Sequence, residues 1–141
     1  MKKTLKVISL VCLMAVLLTP TSVFAIDNRE PNDSFETAQP AQLNFDSSYI
    51  SSASDQDYFK ITARNLIFTS VTSPQGKQYD LYLYDKDYNL LGSTLNPTIG
   101  TSIVKSTVPG QIYYLKVVSR DGSYDATNPY KLLVYFKFPF F

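Results

Sequence analysis

The sequence of 141 residues contains no His and no Trp, and its single Cys, Cys12, lies near the N-terminus. A Ser-His-Asp triad, a cysteine nucleophile and a zinc site built from His and Cys are therefore excluded for residues 26–141. The same residues cannot form an internal disulfide bond, so the fold must be stabilised by its core or by a metal ion. No motif singles out a carboxylate pair or a Ser-Lys pair for catalysis, and we predict that the protein is not an enzyme.

The N-terminal 25 residues have the pattern of a secretory signal peptide. Three lysines precede an apolar run over residues 7–18, which is short for a membrane-spanning helix. Small residues then precede a cleavage site after Ala25. We predict a signal peptide at residues 1–25, a single domain at residues 26–141, and a secreted, extracellular protein that does not associate with the membrane after cleavage.

Charge is balanced and scattered along the chain. Three of the 13 basic residues lie in the segment 1–25, so residues 26–141 carry ten basic and 12 acidic residues, a net charge of −2. No basic cluster is long enough to neutralise consecutive phosphates, and the sequence gives no indication of nucleic-acid binding. A chain of this length forms one hydrophobic core, and we expect a monomer.

The hydrophobic pattern is typical of an all-β protein. Apolar and polar residues alternate with a period of two in short segments separated by turn residues, and no helical pattern is present. The clearest strand is residues 111–119, in which Tyr113, Leu115 and Val117 share one face. Further strands are predicted at residues 57–62, 67–72, 80–84, 90–94, 101–107 and 130–136. Seven or eight short strands without helical crossovers predict an antiparallel two-sheet sandwich of the jelly-roll or Greek-key type.

Oxygen-bearing side chains cluster near the start of the predicted domain. The first group is Asn28, Glu30, Asn32 and Asp33, and the second is Asp55 and Asp57. Calcium takes six to eight oxygen ligands, which two such groups can supply together. The alternative is that these residues cap turns, a common role of Asn and Asp. Asp57 shares the parity of the core positions in its strand, so it needs a cation or a hydrogen-bond donor there.

A second acidic stretch, Asp85, Asp87 and Asn89, imitates the first half of an EF-hand loop. Leu90 occupies the position at which that loop requires Gly. We therefore interpret the stretch as the turn of a hairpin.

Tyrosine is abundant, with 11 residues in the chain. The strand parities place four of them opposite the core: Tyr82, Tyr84, Tyr114 and Tyr135. In a single stripe they would form a flat aromatic surface suited to an extended ligand. The alternative is ordinary cross-strand pairing that stabilises a solvent-facing sheet. The phenylalanine-rich C-terminus, residues 136–141, is expected to pack against an edge of the core, or to contact a partner if it is exposed.

Several segments together resemble the bacterial pre-peptidase C-terminal domain. They are Glu30-Pro31-Asn32-Asp33-Ser34, Thr37-Ala38, Asp55-Gln56-Asp57-Tyr58-Phe59, Asp80 to Asp85, and Gly110 to Val117. These segments occur in the family's order over about residues 28–137. The resemblance implies a jelly-roll β-sandwich of the kind appended to secreted peptidases and related to the collagen-binding domains of clostridial collagenases.

The resemblance also implies functional residues. In the collagen-binding relatives, a calcium site joins the N-terminal segment to the sandwich, and aromatic residues on one sheet contact collagen. The corresponding ligand positions fall on Glu30, Asn32, Asp33, Asp55 and Asp57, and a further position just upstream falls on Asn28. The tyrosine-rich strand over residues 112–117 is similar to the collagen-contacting strand.

We therefore expect a secreted, non-catalytic binding module that is stabilised by calcium. Its partner would be an extracellular polymer, such as a collagen-like protein or a polysaccharide, bound by the tyrosine-rich sheet face. The alternative is a structural or chaperone-like accessory to a separately encoded secreted peptidase.

Overall fold

A computed structural model of the protein describes residues 27–95 and 101–137. These residues form nine β-strands and no helix, so none of the described segments is a helix able to cross a membrane. The strands are β1 (Gln39–Pro40), β2 (Asn44–Ile50), β3 (Gln56–Thr62), β4 (Leu66–Thr72), β5 (Tyr79–Tyr84), β6 (Leu90–Thr94), β7 (Ile103–Ser106), β8 (Ile112–Ser119) and β9 (Asp125–Lys137).

The strands pack as two sheets. The five-stranded sheet has the order β1-β3-β8-β5-β6, and the four-stranded sheet has the order β2-β9-β4-β7. Neighbouring strands are antiparallel except β1 and β3, which are parallel. The described chain is an all-β sandwich, which confirms the predicted fold class.

The core lies between the sheets and follows the alternation of the sequence. On β8, Leu115 and Val117 are fully buried, and on β9 Leu132 and Val134 are fully buried. The residues between them lie on the outer faces, because successive side chains of a strand point to opposite sides. Tyr113 on β8 is buried as well, so the inward residues predicted for this strand, Tyr113, Leu115 and Val117, are confirmed.

Strand β2 was not predicted, because two of its inward positions are polar. Asp46 and Ser48 are buried beside Ile50 on the core side of the strand. Arg29 forms an ion pair with Asp46, and the Gln42 backbone N–H donates a hydrogen bond to Asp46 Oδ2 at 2.8 Å. Because these partners satisfy the buried carboxylate, the strand does not need an apolar side chain at this position. The short β1 was also missed, so nine strands replace the predicted seven or eight.

Strands β5 and β6 form the predicted hairpin, and Asp85 closes its turn. Asp85 Oδ1 accepts hydrogen bonds from the backbone N–H groups of Asp87, at 2.8 Å, and Asn89, at 2.9 Å. The side-chain amide of Asn89 donates to Asp85 Oδ2 at 3.0 Å. The acidic stretch is therefore a hairpin turn, as interpreted from the sequence.

Two of the predictions concern residues outside the described part of the chain. The predicted signal peptide at residues 1–25 lies outside it, as do residues 138–141 of the phenylalanine-rich C-terminus. Phe136 is described and packs against the core. The extent of the single domain, residues 26–141, stays a prediction.

Substitution of Leu115 tests the assignment of the core. Leu115 is fully buried on β8, the central strand of its sheet. We expect Leu115→Ala to lower the free energy of unfolding by about 2–5 kcal/mol, because it leaves a cavity between the sheets. Urea unfolding followed by circular dichroism measures the change. The control is Val104→Ala on β7, where the side chain is 53% exposed and the expected change is below about 0.5 kcal/mol. Equal losses for the two variants would contradict the assignment.

Candidate metal centre and aromatic face

The segment before β1 crosses the start of β3 and brings the predicted acidic residues together. The Asn32 backbone carbonyl accepts a hydrogen bond from the Tyr58 N–H at 2.8 Å. The Asn32 N–H donates to Glu30 Oε2 at 3.1 Å. Because Asn32 is fully buried, the chain around it is held against the strand that carries Asp57.

Two groups of three carboxylates meet at this point. In each group, one oxygen of every residue lies within 4.8 Å of the others. The first group contains Asp27, Glu30 and Asp57, and the second contains Glu30, Asp33 and Asp55. Glu30 belongs to both groups, so five carboxyl groups form one continuous set. We call these five residues, together with Asn32, the acidic cluster.

The buried carboxylates of the acidic cluster each leave one oxygen without a partner. Tyr130 donates a hydrogen bond to Asp57 Oδ2, and the Ser51 hydroxyl donates to Asp55 Oδ2 at 2.7 Å. Among the described residues, Asp57 Oδ1, Asp55 Oδ1 and both polar side-chain atoms of Asn32 have no hydrogen-bond partner. Buried polar atoms in native proteins are nearly always paired. Unpaired oxygens gathered beside other carboxylates are the arrangement expected of cation ligands.

The electrostatics of the acidic cluster favour a cation. The pKa of Asp57 is raised to about 8, with burial as the largest cause and the nearby charges of Asp55 and Asp27 contributing to the rise. Burial also raises the pKa of Glu30, and neighbouring carboxylates add to the effect. Ionised carboxylates in this position are destabilised by desolvation and by one another, and a bound cation would remove both penalties.

Five of the six metal ligands predicted from the sequence lie in the acidic cluster: Glu30, Asn32, Asp33, Asp55 and Asp57. The Asn32 amide lies close enough to Asp57 to lower the pKa of the Asp57 carboxyl, although the two side chains make no aligned hydrogen bond. The sixth, Asn28, is exposed, and its role as a ligand stays a prediction.

Asp27 belongs to the acidic cluster although the sequence analysis did not name it. Its Oδ2 accepts hydrogen bonds from the Ser48 hydroxyl at 2.6 Å and from the Tyr49 N–H at 3.1 Å. These bonds attach Asp27 to β2 and place its carboxyl beside Asp57. The sequence carries no local signal for this position, because the partners of Asp27 on β2 lie 21 and 22 residues away in the chain.

The outer face of the five-stranded sheet carries a group of aromatic rings. Tyr84 on β5 lies opposite Tyr114 on β8, and the rings of Tyr82 and Tyr84 are 6.5 Å apart between centroids. The ring of Tyr88, from the hairpin turn, meets the ring of Tyr114 edge-on, with 5.4 Å between the centroids. We call the following residues the aromatic face: Phe35, Tyr58, Tyr82, Tyr84, Tyr88 and Tyr114.

Tyr135 does not belong to the aromatic face, so the prediction of one stripe of four tyrosines is wrong for this residue. Strand β9 lies in the four-stranded sheet, where Tyr135 stacks on Phe68 with ring centroids 4.6 Å apart. Alternation along a strand shows only which residues face away from the core, and each of the two sheets has such a face. The sheet to which a strand belongs cannot be read from its alternation.

Phe35 was not predicted to belong to a site. Its ring stacks on Tyr88 at 4.2 Å and meets Tyr58, Tyr84 and Tyr114 edge-on at centroid distances between 4.7 and 5.3 Å. Phe35 precedes β1 in a segment without alternation, so no periodic signal in the sequence shows where its ring lies.

Comparison with known proteins bears on the fold. The chain matches no protein-family model and no curated protein. Among solved structures it is similar to the pre-peptidase C-terminal domain of collagenase from Bacillus anthracis. The TM-score is 0.53 and the sequence identity 19%, and the match covers 70% of this chain and 94% of that domain.

The fold is that of a pre-peptidase C-terminal domain. This finding confirms the fold that the sequence resemblance implied. At 19% identity, the likeness to the collagenase domain concerns the fold alone. The function of this chain must therefore be argued from its own residues.

Asp57→Asn tests the electrostatics of the cluster in metal-free protein. Excess chelator removes cations, so Asp57 must ionise in the fold near pH 8, whereas an unfolded Asp ionises near pH 4. The proton that Asp57 retains in the fold contributes stability. This contribution is fully present below the pKa of the unfolded state, and it is lost as the pH rises through the pKa of the folded state. We expect the free energy of unfolding of wild type to fall relative to Asp57→Asn by roughly 1 kcal/mol per pH unit between about pH 6 and 8.

Urea unfolding at several pH values measures this difference. Asp87→Asn, at an exposed residue of the hairpin turn, serves as the control and should follow wild type. Parallel pH profiles for wild type and Asp57→Asn would contradict the burial of an ionisable carboxyl at this position.

Proposed function

We propose that the protein is a secreted, non-catalytic binding module that is stabilised by calcium and binds an extracellular polymer through the aromatic face. The observation that carries the proposal is the acidic cluster, in which buried unpartnered oxygens of Asn32, Asp55 and Asp57 meet exposed carboxylates. Secretion is supported by the signal-peptide pattern of residues 1–25.

The donor atoms favour calcium over other metals. The acidic cluster offers carboxylate and amide oxygens, and the chain contains no His and only one Cys, Cys12. Transition metals prefer nitrogen and sulfur ligands, and magnesium demands near-ideal octahedral geometry with several waters. Calcium accepts six to eight oxygens in flexible geometry. Glu30 and Asp33 are exposed, so an ion can enter from solvent and water can complete its shell.

The aromatic face supports polymer binding. Tyrosine rings offer contact area with little loss of conformational entropy, and their hydroxyl groups form hydrogen bonds. Lys116 lies on the same face, with its Nζ 5.4 Å from the centre of the Tyr58 ring, and adds a donor. An extended polymer such as a collagen-like protein or a polysaccharide presents repeated apolar surfaces and acceptors to such a face.

The acidic cluster does not favour catalysis. A glycosidase needs two carboxyl groups on either side of a cleft that holds the sugar. Asp55 and Asp57 are only 4% and 0% exposed, so a substrate cannot reach both of them. Burial of this kind suits ligands of an ion better than an acid and base pair.

A second candidate function is a structural or chaperone-like accessory to a separately encoded secreted peptidase. The similarity to a domain of a collagenase favours it. Co-purification with a peptidase from culture medium, unaffected by Tyr82→Ala and Tyr114→Ala, would support this candidate over polymer binding.

Calcium should stabilise the fold measurably. At a free calcium concentration 100 times the dissociation constant, binding of one ion adds about 2.7 kcal/mol, which raises the melting temperature by on the order of 10 °C. Asp33→Asn should reduce the shift strongly, because it removes an exposed ligand without disturbing the core. Asp87→Asn should leave it unchanged. Thermal melts with calcium and with chelator provide the measurement, and identical wild-type melts would refute the cation site.

Polymer binding should depend on the aromatic face. The protein is incubated with insoluble collagen, chitin and cell-wall material, and the bound fraction is measured. Each lost ring contact is worth about 0.5–1.5 kcal/mol, so Tyr82→Ala or Tyr114→Ala should weaken retention roughly three- to tenfold. Tyr135→Ala is the matched control because this tyrosine lies on the opposite sheet. If Tyr135→Ala weakens retention and the other two variants do not, the binding face has been placed on the wrong sheet.

A further inference from the structure

Two cationic side chains flank Tyr82 at one end of the aromatic face. Lys116 on β8 lies directly opposite Tyr82 on β5. Arg120 follows β8, and its backbone N–H donates to the Gln78 carbonyl at 2.9 Å, which continues the pairing of the two segments. Lys116 and Arg120 are an even number of residues apart, so both project to the side of the sheet on which Tyr82 lies. We call Lys116, Tyr82 and Arg120 the cationic end of the aromatic face.

Arg120 is held in place by a buried carboxylate. Its Nη2 forms an ion pair with Asp80 Oδ1 at 2.9 Å, and its Nε donates to Asp80 Oδ2 at 3.3 Å. Both contacts use one edge of the planar guanidinium, so the edge formed by Nη1 and the second N–H of Nη2 faces away from Asp80. A carboxylate of a ligand can bind this free edge through two parallel hydrogen bonds, and Arg120 does not need to change its orientation.

Lys116 carries a charge that the protein does not match with a carboxylate. Among the ion pairs of residues 27–95 and 101–137, none contains Lys116. Its ammonium group lies 5.4 Å from the centre of the Tyr58 ring. Burial lowers the pKa of Lys116, because the charged form is partly withdrawn from water. An anion bound beside this ammonium group would compensate for the lost hydration.

The charge around Tyr82 is therefore positive. Burial is the largest cause that raises the pKa of Tyr82, the charge of Asp80 also raises it, and the charge of Arg120 lowers it. Asp80 and Arg120 oppose each other, and Lys116 adds one positive charge opposite the ring. The exposed carboxylate of Glu36 acts on other tyrosines of the aromatic face. A ligand placed on Tyr82 is thus favoured if it carries negative charge.

We propose that the polymer bound by the aromatic face is an acidic polysaccharide. A sugar ring packs on Tyr82, and carboxylates of the polymer bind Lys116 and the free edge of Arg120. The ring offers apolar C–H groups and hydroxyls, which suit the amphipathic side chain of tyrosine. The planar carboxylate matches the fork of N–H donors on arginine. This inference rests on the proposed function and names the class of polymer.

Calorimetry with matched ligands tests the inference. The probes are oligosaccharides of hyaluronan and of polygalacturonate, each compared with its methyl ester, which has the same sugar rings and no carboxylate charge. Wild type should bind at least one acid form about tenfold more tightly than its ester. Added salt should weaken binding of the acid form and leave that of the ester unchanged, because salt screens the charges.

Lys116→Gln removes a charge and keeps most of the side chain. It should weaken binding of the acid form about five- to tenfold and leave binding of the ester unchanged. Arg120→Gln alone leaves a buried carboxylate unmatched, so it is combined with Asp80→Asn, and the double variant should also lose affinity for the acid form. Lys131→Gln is the matched control and should bind as wild type does, because Lys131 is exposed on β9 in the other sheet.

Equal affinity of wild type for acid forms and esters would overturn the inference, as would a Lys116→Gln variant that loses affinity for both equally. Polyglutamate bound as tightly as the acidic oligosaccharides would also overturn it, because charge alone would then be recognised. So would failure of both acid forms to bind a protein that retains collagen or chitin through Tyr82. Retention of insoluble polymers that Tyr82→Ala and Tyr114→Ala leave unchanged would instead refute the proposed binding by the aromatic face.

Discussion

The hydrogen bond from Tyr130 to the buried carboxyl of Asp57 joins the two sheets of this sandwich. Asp57 stands near the start of β3 in one sheet, and Tyr130 on β9 in the other, and both side chains are fully buried. A charge in this position is strongly disfavoured unless it is matched, so Asp57 holds either a proton or a cation. The surrounding carboxylates add to this constraint because each of them makes the unmatched charge less favourable.

The same N-terminal segment that supplies carboxylates also covers an edge of the five-stranded sheet. The Ala41 N–H donates to the Lys60 carbonyl at 3.0 Å, and the Asn32 carbonyl accepts from Tyr58 at 2.8 Å. Arg29 ties this segment to the other sheet by its ion pair with Asp46. Open strand edges invite unwanted pairing with other chains, so covering this edge has a structural value of its own.

Much of the fold and part of the candidate site could be predicted from local sequence. The alternation of apolar and polar residues can be read from the sequence on β8 and β9, because the core positions of these strands are apolar. The parity of Asp57 in its strand showed that a polar group lies on the core side. Strand β2 was missed because Asp46 occupies a core position and is satisfied by Arg29, which is 17 residues away in the chain. A partner at that separation leaves no periodic signal around the strand.

The sequence by itself determined the all-β class, the hairpin turn at Asp85 and most of the acidic cluster, because each depends on residue type and short-range spacing. Tertiary structure alone decided that Asp27 joins the cluster, that Tyr135 lies on the opposite sheet from Tyr114, and that Phe35 fills the aromatic face. These three outcomes depend on which strands become neighbours and how a turn orients its side chains. Alternation along one strand carries no information about either, because it records burial and not the identity of the partner.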